Sequence, residues 1–324
     1  MKSIEKLQEK VIDIFDNLVI AGKPYELYEP IVYTMSLGGK RIRPLLLLQA
    51  CEMFGGKMKN AVNPAVGIEL FHNFTLLHDD IMDKAPLRRG KPTVYKKWDE
   101  NAAILSGDAM YAMAGQYMIQ TRSKAIPYVV QLYNQTAIEV CEGQQYDMNF
   151  ETRDDVSLSE YIEMIRLKTA VLLGCALKTG AIIAGAKEYE CEKIYNVGVN
   201  IGLAFQLKDD LLDVYGSLDK FGKVSGGDIL EGKKTFLYIK TLELMGAEDA
   251  KVFASLYASK KLKGEEKIKK VKGIFDKYKI EYYTKQEMDS YYKTAMQELH
   301  KLELPEAKTA SFVKYLSALM ERDN

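Results

Sequence analysis

The chain has 324 residues, 47% of them apolar and 28% charged, and its 45 Lys and Arg are matched by 45 Asp and Glu. Such a composition describes a soluble globular protein with ample chain for a sizeable core, and zero net charge argues against nucleic acid as the main partner. Cys51, Cys141, Cys175 and Cys191 lack any Cys-x-x-Cys spacing, so the expectation is reduced thiols in a cytoplasm, not a zinc site or a disulfide framework.

The N-terminal stretch MKSIEKLQEKVIDIF is amphipathic and mixes its charges, without the apolar core of a signal peptide. No apolar run approaches the length of a membrane span, and no span is expected. Nearly every segment between glycines or prolines repeats its apolar residues at helical spacing, whereas Asn-Gly and Asp-Gly hairpin dipeptides are absent. The expected fold is therefore all-α, with many helices joined by short loops. No linker, low-complexity segment or repeat divides the chain, which predicts one domain over residues 1–324.

The first charged motif is GGKRIRP, residues 38–44, where Lys40, Arg41 and Arg43 stand at the start of an apolar helix. The next, residues 71–92, reads FHNFTLLHDDIMDKAPLRRGKP. Asp79, Asp80 and Asp83 crowd into five residues, and Arg88 and Arg89 follow only after Pro86 has interrupted any helix. On a helical wheel Asp79 and Asp83 share one face, with Asp80 at its edge and His72 two turns earlier, opposite a stripe of Leu70, Phe74, Leu77 and Ile81. Carboxylates one turn apart lie roughly 6 Å from each other along the axis. Their repulsion is roughly 0.7 kcal/mol in water but about 3 kcal/mol at an effective dielectric near 20, so in a cleft the pair would need a cation. A solvated acidic face remains the alternative for this motif taken alone.

Further on, the small-residue run GAIIAGA, residues 180–186, permits close helix packing. The stretch FQLKDDLLDVYGSLDKFGKVSGGDILEGKK, residues 205–234, then repeats the acidic spacing with Asp209, Asp210 and Asp213, and sets Gln206 beside them. Val197, Ile201, Phe205 and Leu212 form the adjoining apolar stripe. Two such clusters, each followed by a glycine-punctuated basic loop, are poorly explained as solvated surface. Oxygen ligands without nearby Cys or His clusters favour a hard ion, and magnesium before calcium, because Mg²⁺ commonly joins a few carboxylates to substrate phosphates. The glycine that an EF-hand loop demands is missing. Together with Lys168, Lys223 and Lys233, the basic motifs suggest two phosphate-bearing ligands, one held through metal and one held directly by guanidinium forks. No Walker loop is present, nor a Ser/His/Asp or Cys/His arrangement that spacing alone would support. The lysine-rich stretch over residues 251–302 also carries glutamates and keeps a helical rhythm, which reads as a solvated helix face.

Taken in order, GGKRIRP, HDDIMD, LRRGKPT, AILSGDAM, RLKTA, FQLKDDLLD, GK-x-x-GGD and EGKKT resemble the trans-isoprenyl diphosphate synthase (polyprenyl synthetase) family over about residues 36–237. The resemblance implies a helical bundle around a deep cavity, with the two aspartate helices facing each other across its mouth, and most often a homodimer. It implies that Asp79, Asp83 and Asp209 bind about three Mg²⁺ ions holding an allylic diphosphate, with Asp80, Asp210 and Asp213 as supporting or water-mediated ligands. Arg88, Lys168, Lys223 and Lys233 would grip that diphosphate, and Lys40, Arg43, His72 and Arg89 would bind isopentenyl diphosphate without metal. Thr169 and Gln206 would flank a developing carbocation. Phe74 and Thr75, five and four residues before Asp79, stand where the family sets product length; one aromatic there and no insertion in the motif lean to C20 over C15. Tyr95 stands where relatives often carry histidine. A terpene cyclase would not need GGKRIRP, and a non-catalytic subunit of a heteromeric synthase could have lost an aspartate motif, yet both are intact.

Overall fold

The computed structural model describes residues 4–216, 226–259, 262 and 264–321, and helices carry most of them. The chain divides into two compact units. The first comprises residues 1–135, 175–195 and 302–313, and the second residues 136–174, 196–301 and 314–324. No linker marks the division: the boundaries at 135/136, 174/175, 195/196 and 313/314 fall inside helices, and the one at 301/302 falls in the turn just after a helix ends.

In the first unit α1 (Ile4–Asp16), α2 (Tyr25–Ser36) and α3 (Ile42–Met53) precede α4 (Val62–Met82). After α4 come the short α5 (Val94–Lys97), α6 (Glu100–Met118) and the opening of α7 (Ile126–Glu151). α3 buries every residue from Leu45 to Cys51, and α4 every residue from Pro64 to Phe71, so both are central helices, apolar nearly all round where they cross the core. α4 packs along α6 and against α3. Asp99 starts α6 as its N-cap, its side chain accepting from the Ala102 N–H at 2.8 Å. The small-residue run serves packing within the chain: a Cβ on Gly180 would lie 2.2 Å from the Leu47 carbonyl oxygen of α3.

The second unit holds α8 (Leu158–Ile165), a π-helical turn (Arg166–Ala170), the start of α9 (Val171–Ala184) and the distal half of α10 (Glu188–Tyr215). Beyond these lie α11 (Gly227–Glu231), α12 (Phe236–Leu244), α13 (Ala247–Tyr257), α14 (Gly264–Lys277) and α15 (Ile280–His300). α16 (Glu306–Glu321) begins in the first unit and ends in the second. A capping box opens α8, Ser157 and Glu160 satisfying each other's backbone N–H groups. Lys208 is buried on α10 and donates to the Leu319 and Met320 carbonyls near the end of α16, neutralising that helix terminus.

Two sequence expectations need correction. The basic loop after α4 is a small antiparallel hairpin, Leu87–Arg88 pairing with Lys91–Pro92, about an Arg89-Gly90 turn. Both turn residues have positive φ, 54° and 74°, the type I′ geometry; glycine accounts for the second, while an arginine in the first position escapes a search for Asn-Gly. The other concerns membrane spans. Leu158–Ala184 is long and apolar enough to cross a membrane by length and composition, but 72% of its most apolar window is buried inside the protein, as for a core helix.

Candidate active site

α4 meets arginines along one side and ends in a cluster of carboxylates. Its buried polar residues, Glu69, Asn73 and Asp80, form a ridge that the wheel does not anticipate, since it sets Asp80 at the edge of the exposed acidic face. Each acid on the ridge meets an arginine. Arg41, the N-cap of α3 with φ 46°, donates to Glu69 Oε1 at 2.7 Å and to the Met35 carbonyl at 2.5 Å, and lies 4.7 Å over the Phe15 ring. Asn73 Nδ2 donates to the Glu69 carbonyl at 2.8 Å and to its Oε1 at 3.2 Å. This cluster fastens the GGKR turn to α4, leaving Lys40 exposed on the turn and Arg43 half-buried in the first turn of α3.

The hairpin aims Arg88 back at α4. Its Nε and a terminal nitrogen reach Asp80 Oδ1 at 2.8 and 2.7 Å, and the same terminal nitrogen lies 3.8 Å from Asp79 Oδ2. Burial works against the Arg88 charge, but the Asp80 pairing outweighs it and the guanidinium pKa is raised. Asp80 is thus engaged by protein, while half-buried Asp79 and exposed Asp83 follow one another by a helical turn at the end of α4. Arg89 donates to the Gly38 carbonyl, joining the hairpin to the GGKR turn. Two turns up α4 from Asp79, half-buried His72 sits in a strongly positive field. Burial first, then Arg43, Arg89, Arg88 and Arg41, push its imidazole well below the ordinary histidine range, so it is a neutral hydrogen-bonding group amid cations. Guanidinium groups around a neutral imidazole form a site for an anion such as a phosphate.

Phe74 is half-buried and belongs to an aromatic cluster. Its ring centroid lies 4.8 Å from His78, 5.4 Å from Tyr111 and 5.6 Å from Phe71. Tyr133 stacks on Tyr111 at 5.9 Å and donates to the Tyr111 carbonyl at 3.1 Å. Thr75 spends its hydroxyl on the His72 carbonyl at 2.8 Å.

In the second unit, Lys168 and Thr169 lie within the π turn, a rare local widening that recurs at functional sites. Gly143 of α7 makes room for it, because a Cβ there would sit 2.2 Å from the Lys168 nitrogen. Lys168 Nζ pairs with Asp147 Oδ2 at 2.6 Å. Thr169 Oγ1 donates to Gln206 Oε1 at 3.0 Å, and Gln206 Nε2 donates to Asp210 Oδ1 at 3.1 Å. The three aspartates of α10 diverge: Asp209 is exposed, Asp213 half-buried, and Asp210 buried with its other oxygen accepting from the Tyr161 hydroxyl. Burial pushes the Asp210 carboxyl up to about 6. Asp228, the aspartate of the GGD motif, donates its backbone N–H to Asp213 Oδ2 at 3.1 Å. Burial, and then the charges of Asp213 and Asp210, raise its carboxyl pKa well above the usual range. Among the described residues no three His, Cys, Asp or Glu side chains are arranged to hold a metal ion by themselves, which fits a hard ion such as Mg²⁺ only where a few carboxylates share it with oxygens of a bound phosphate. Lys233 pairs with Glu231 at 3.3 Å, while Lys223 lies outside the described residues.

The family model for polyprenyl synthetase matches residues 24–275, more than three quarters of the chain. The chain belongs to the polyprenyl synthetase family. A geranylgeranyl diphosphate synthase of Sulfolobus acidocaldarius is 38% identical over 303 residues, 92% of this chain and 91% of that protein. One of Methanosarcina mazei is 42% identical over 230 residues, 70% and 71% of the two chains. A crystal structure of a geranylgeranyl pyrophosphate synthase superposes with a TM-score of 0.95 at 45% identity, covering 100% of both chains. The all-α expectation therefore holds in the elements and in the family fold.

Within this polyprenyl synthetase, sequence reasoning missed Glu69, Tyr161, Asp147 and Asp228. Glu69 stood out only as a lone acid inside the apolar run VGIELF, and Asp228 was in view within GGD without a role. Tyr161 and Asp147 had no local signal, for each is defined by a partner 21 or more residues away in sequence.

Proposed function

We propose that the chain is a short-chain trans-prenyltransferase that condenses isopentenyl diphosphate with allylic diphosphates of five to fifteen carbons and ends at the C20 product, geranylgeranyl diphosphate. The observation that carries this reading is the pairing on α4 of an arginine-ringed neutral His72 with the Asp79 and Asp83 carboxylates, one subsite for a bare diphosphate beside one for a metal-bound diphosphate. The names of the similar synthases support the product.

In this reading Lys40, Arg43, His72 and Arg89 bind isopentenyl diphosphate, while Arg88, Lys168 and Lys233 grip the allylic diphosphate. Asp79, Asp83, Asp209 and Asp213 would hold Mg²⁺, about three ions, whose charge would neutralise that of the leaving diphosphate. The allylic C–O bond breaks toward that diphosphate, and the developing cation faces the Thr169 and Gln206 oxygens. The isopentenyl double bond then attacks the allylic carbon. Loss of a proton to the departed diphosphate restores a double bond, so no separate side-chain base is required.

Phe74 ends elongation, backed by Tyr111 and Phe71. Mass analysis of products from C5, C10 and C15 primers with isopentenyl diphosphate and Mg²⁺ tests the whole reading. Wild type is expected to stop at C20 and Phe74→Ala to run at least one isoprene unit further; unchanged products in the variant would remove Phe74 as the stop. The rigid backing of Phe74 favours C15, farnesyl diphosphate, as the second reading. Cyclised hydrocarbon from the allylic substrate alone would replace the synthase by a cyclase.

The protein acts as a cytoplasmic homodimer. Ile104 and Leu105, with Tyr111 and Ile119 further along, expose apolar surface along α6 and just past its end, a face suited to a second copy. Sedimentation velocity is expected to give a dimer that the double change Ile104→Glu and Leu105→Glu converts to monomer; a wild-type monomer would refute the assembly.

A further inference from the structure

We infer that Asp210, although part of the second aspartate motif, acts as a positioning residue: with Tyr161 it decides which end of the Gln206 amide is presented beside Thr169. The inference rests on the reaction proposed above and assigns a role within it. Asp210 is only 5% exposed, and neither of its oxygens is open. Oδ1 accepts from Gln206 Nε2 at 3.1 Å, Oδ2 accepts from the Tyr161 hydroxyl, and the Phe236 backbone N–H adds a further donor. A carboxylate with three protein donors is turned away from the role its neighbours Asp209 and Asp213 can play.

The consequence lies at the other end of the amide. A glutamine side chain has a donor end and an acceptor end of nearly equal size, and by itself it has little reason to prefer one orientation. A carboxylate only accepts, so the end of Gln206 facing Asp210 must be Nε2. Oε1 is thereby directed to Thr169, whose hydroxyl donates to it at 3.0 Å. The result is a chain of defined polarity, Thr169 to Gln206 to Asp210, with Tyr161 closing it from the far side. Two oxygens, Thr169 Oγ1 and Gln206 Oε1, are held together in the π turn region with their electron density set in advance. Developing positive charge is stabilised by such a fixed pair of oxygens, whereas an inverted amide would present N–H dipoles that oppose it. Tyr161 and Asp210 do not touch the reacting carbons; their effect passes through Gln206.

The test uses the full chain and compares wild type with Asp210→Asn and Tyr161→Phe. Asparagine can donate as well as accept, so it frees the Gln206 amide to invert, while phenylalanine removes one hydroxyl and no charge. By analogy with removal of a preorganised donor, Asp210→Asn is expected to lower kcat by about 10- to 100-fold and Tyr161→Phe by about 3- to 10-fold. KM for both diphosphates, and Mn²⁺ affinity measured by electron paramagnetic resonance with inorganic diphosphate, are expected to stay within about twofold of wild type. Weakened Mn²⁺ binding in Asp210→Asn would make Asp210 a metal ligand and overturn the inference, as would an unchanged kcat in both variants. If Asp210→Asn does not fold, Tyr161→Phe decides alone. A wild-type chain without elongation activity removes the proposed reaction and this inference with it, whereas active wild type with unchanged variants removes the inference only.

Discussion

Asp209→Ala is expected to lower kcat/KM for elongation by at least about 10³-fold, which corresponds to roughly 4 kcal/mol of lost transition-state stabilisation, while leaving the thermal midpoint nearly unchanged. The two halves of that expectation have separate causes. Asp209 is exposed on α10, and alanine is the better helix former, so the folded chain loses little. The activity loss follows from removing a carboxylate whose proposed task is to hold the charge that neutralises a departing diphosphate. Asp79→Ala is expected to show the same kinetic loss, because Arg88 would still keep both of its short contacts to Asp80. Steady-state kinetics with calorimetry on the same preparations checks both variants. Near-wild-type rates would contradict the metal-ligand assignment, and a large fall in the midpoint of Asp209→Ala would mean that the residue serves the fold.

Glu69→Ala reverses that pattern and should damage the fold first. The Arg41 and Glu69 side chains are 9% and 3% exposed, and removing the acid leaves a buried guanidinium with the Met35 carbonyl and the Phe15 ring. Breaking one side of a buried pair costs about 3–5 kcal/mol. At roughly 2 °C per kcal/mol for a chain of this size, the midpoint should fall by roughly 6–10 °C. Replacing both partners by methionine removes the stranded charge together with its partner, so most of that loss should return. The double variant should nonetheless keep a raised KM for isopentenyl diphosphate, because the GGKR turn that carries Lys40 is no longer tied to α4. Full kinetic recovery in the double variant would show that the pair contributes stability alone.

The separation between what was legible and what was not follows the range of the interactions. α4 and α10 could be read from apolar spacing, since a helix face is written in residues three and four apart. The order of the charged motifs could be read too, because each is contiguous. The π turn at RLKTA, the hairpin that returns Arg88 to Asp80, and the burial of Asp80 and Asp210 could not. Wheel geometry says which residues share a side of a helix but not which side its neighbours will cover.

By itself, then, the sequence determined the helical class, the membership of two carboxylate clusters and the supply of arginines and lysines near them, all through local spacing. The tertiary structure alone decided which aspartate of each cluster is buried. Asp80 is claimed by Arg88, eight residues on in the first strand of the hairpin that follows α4, and Asp210 by Tyr161, 49 residues earlier. Buried charge must find a partner, and that partner is set by how the helices pack, which no local pattern encodes.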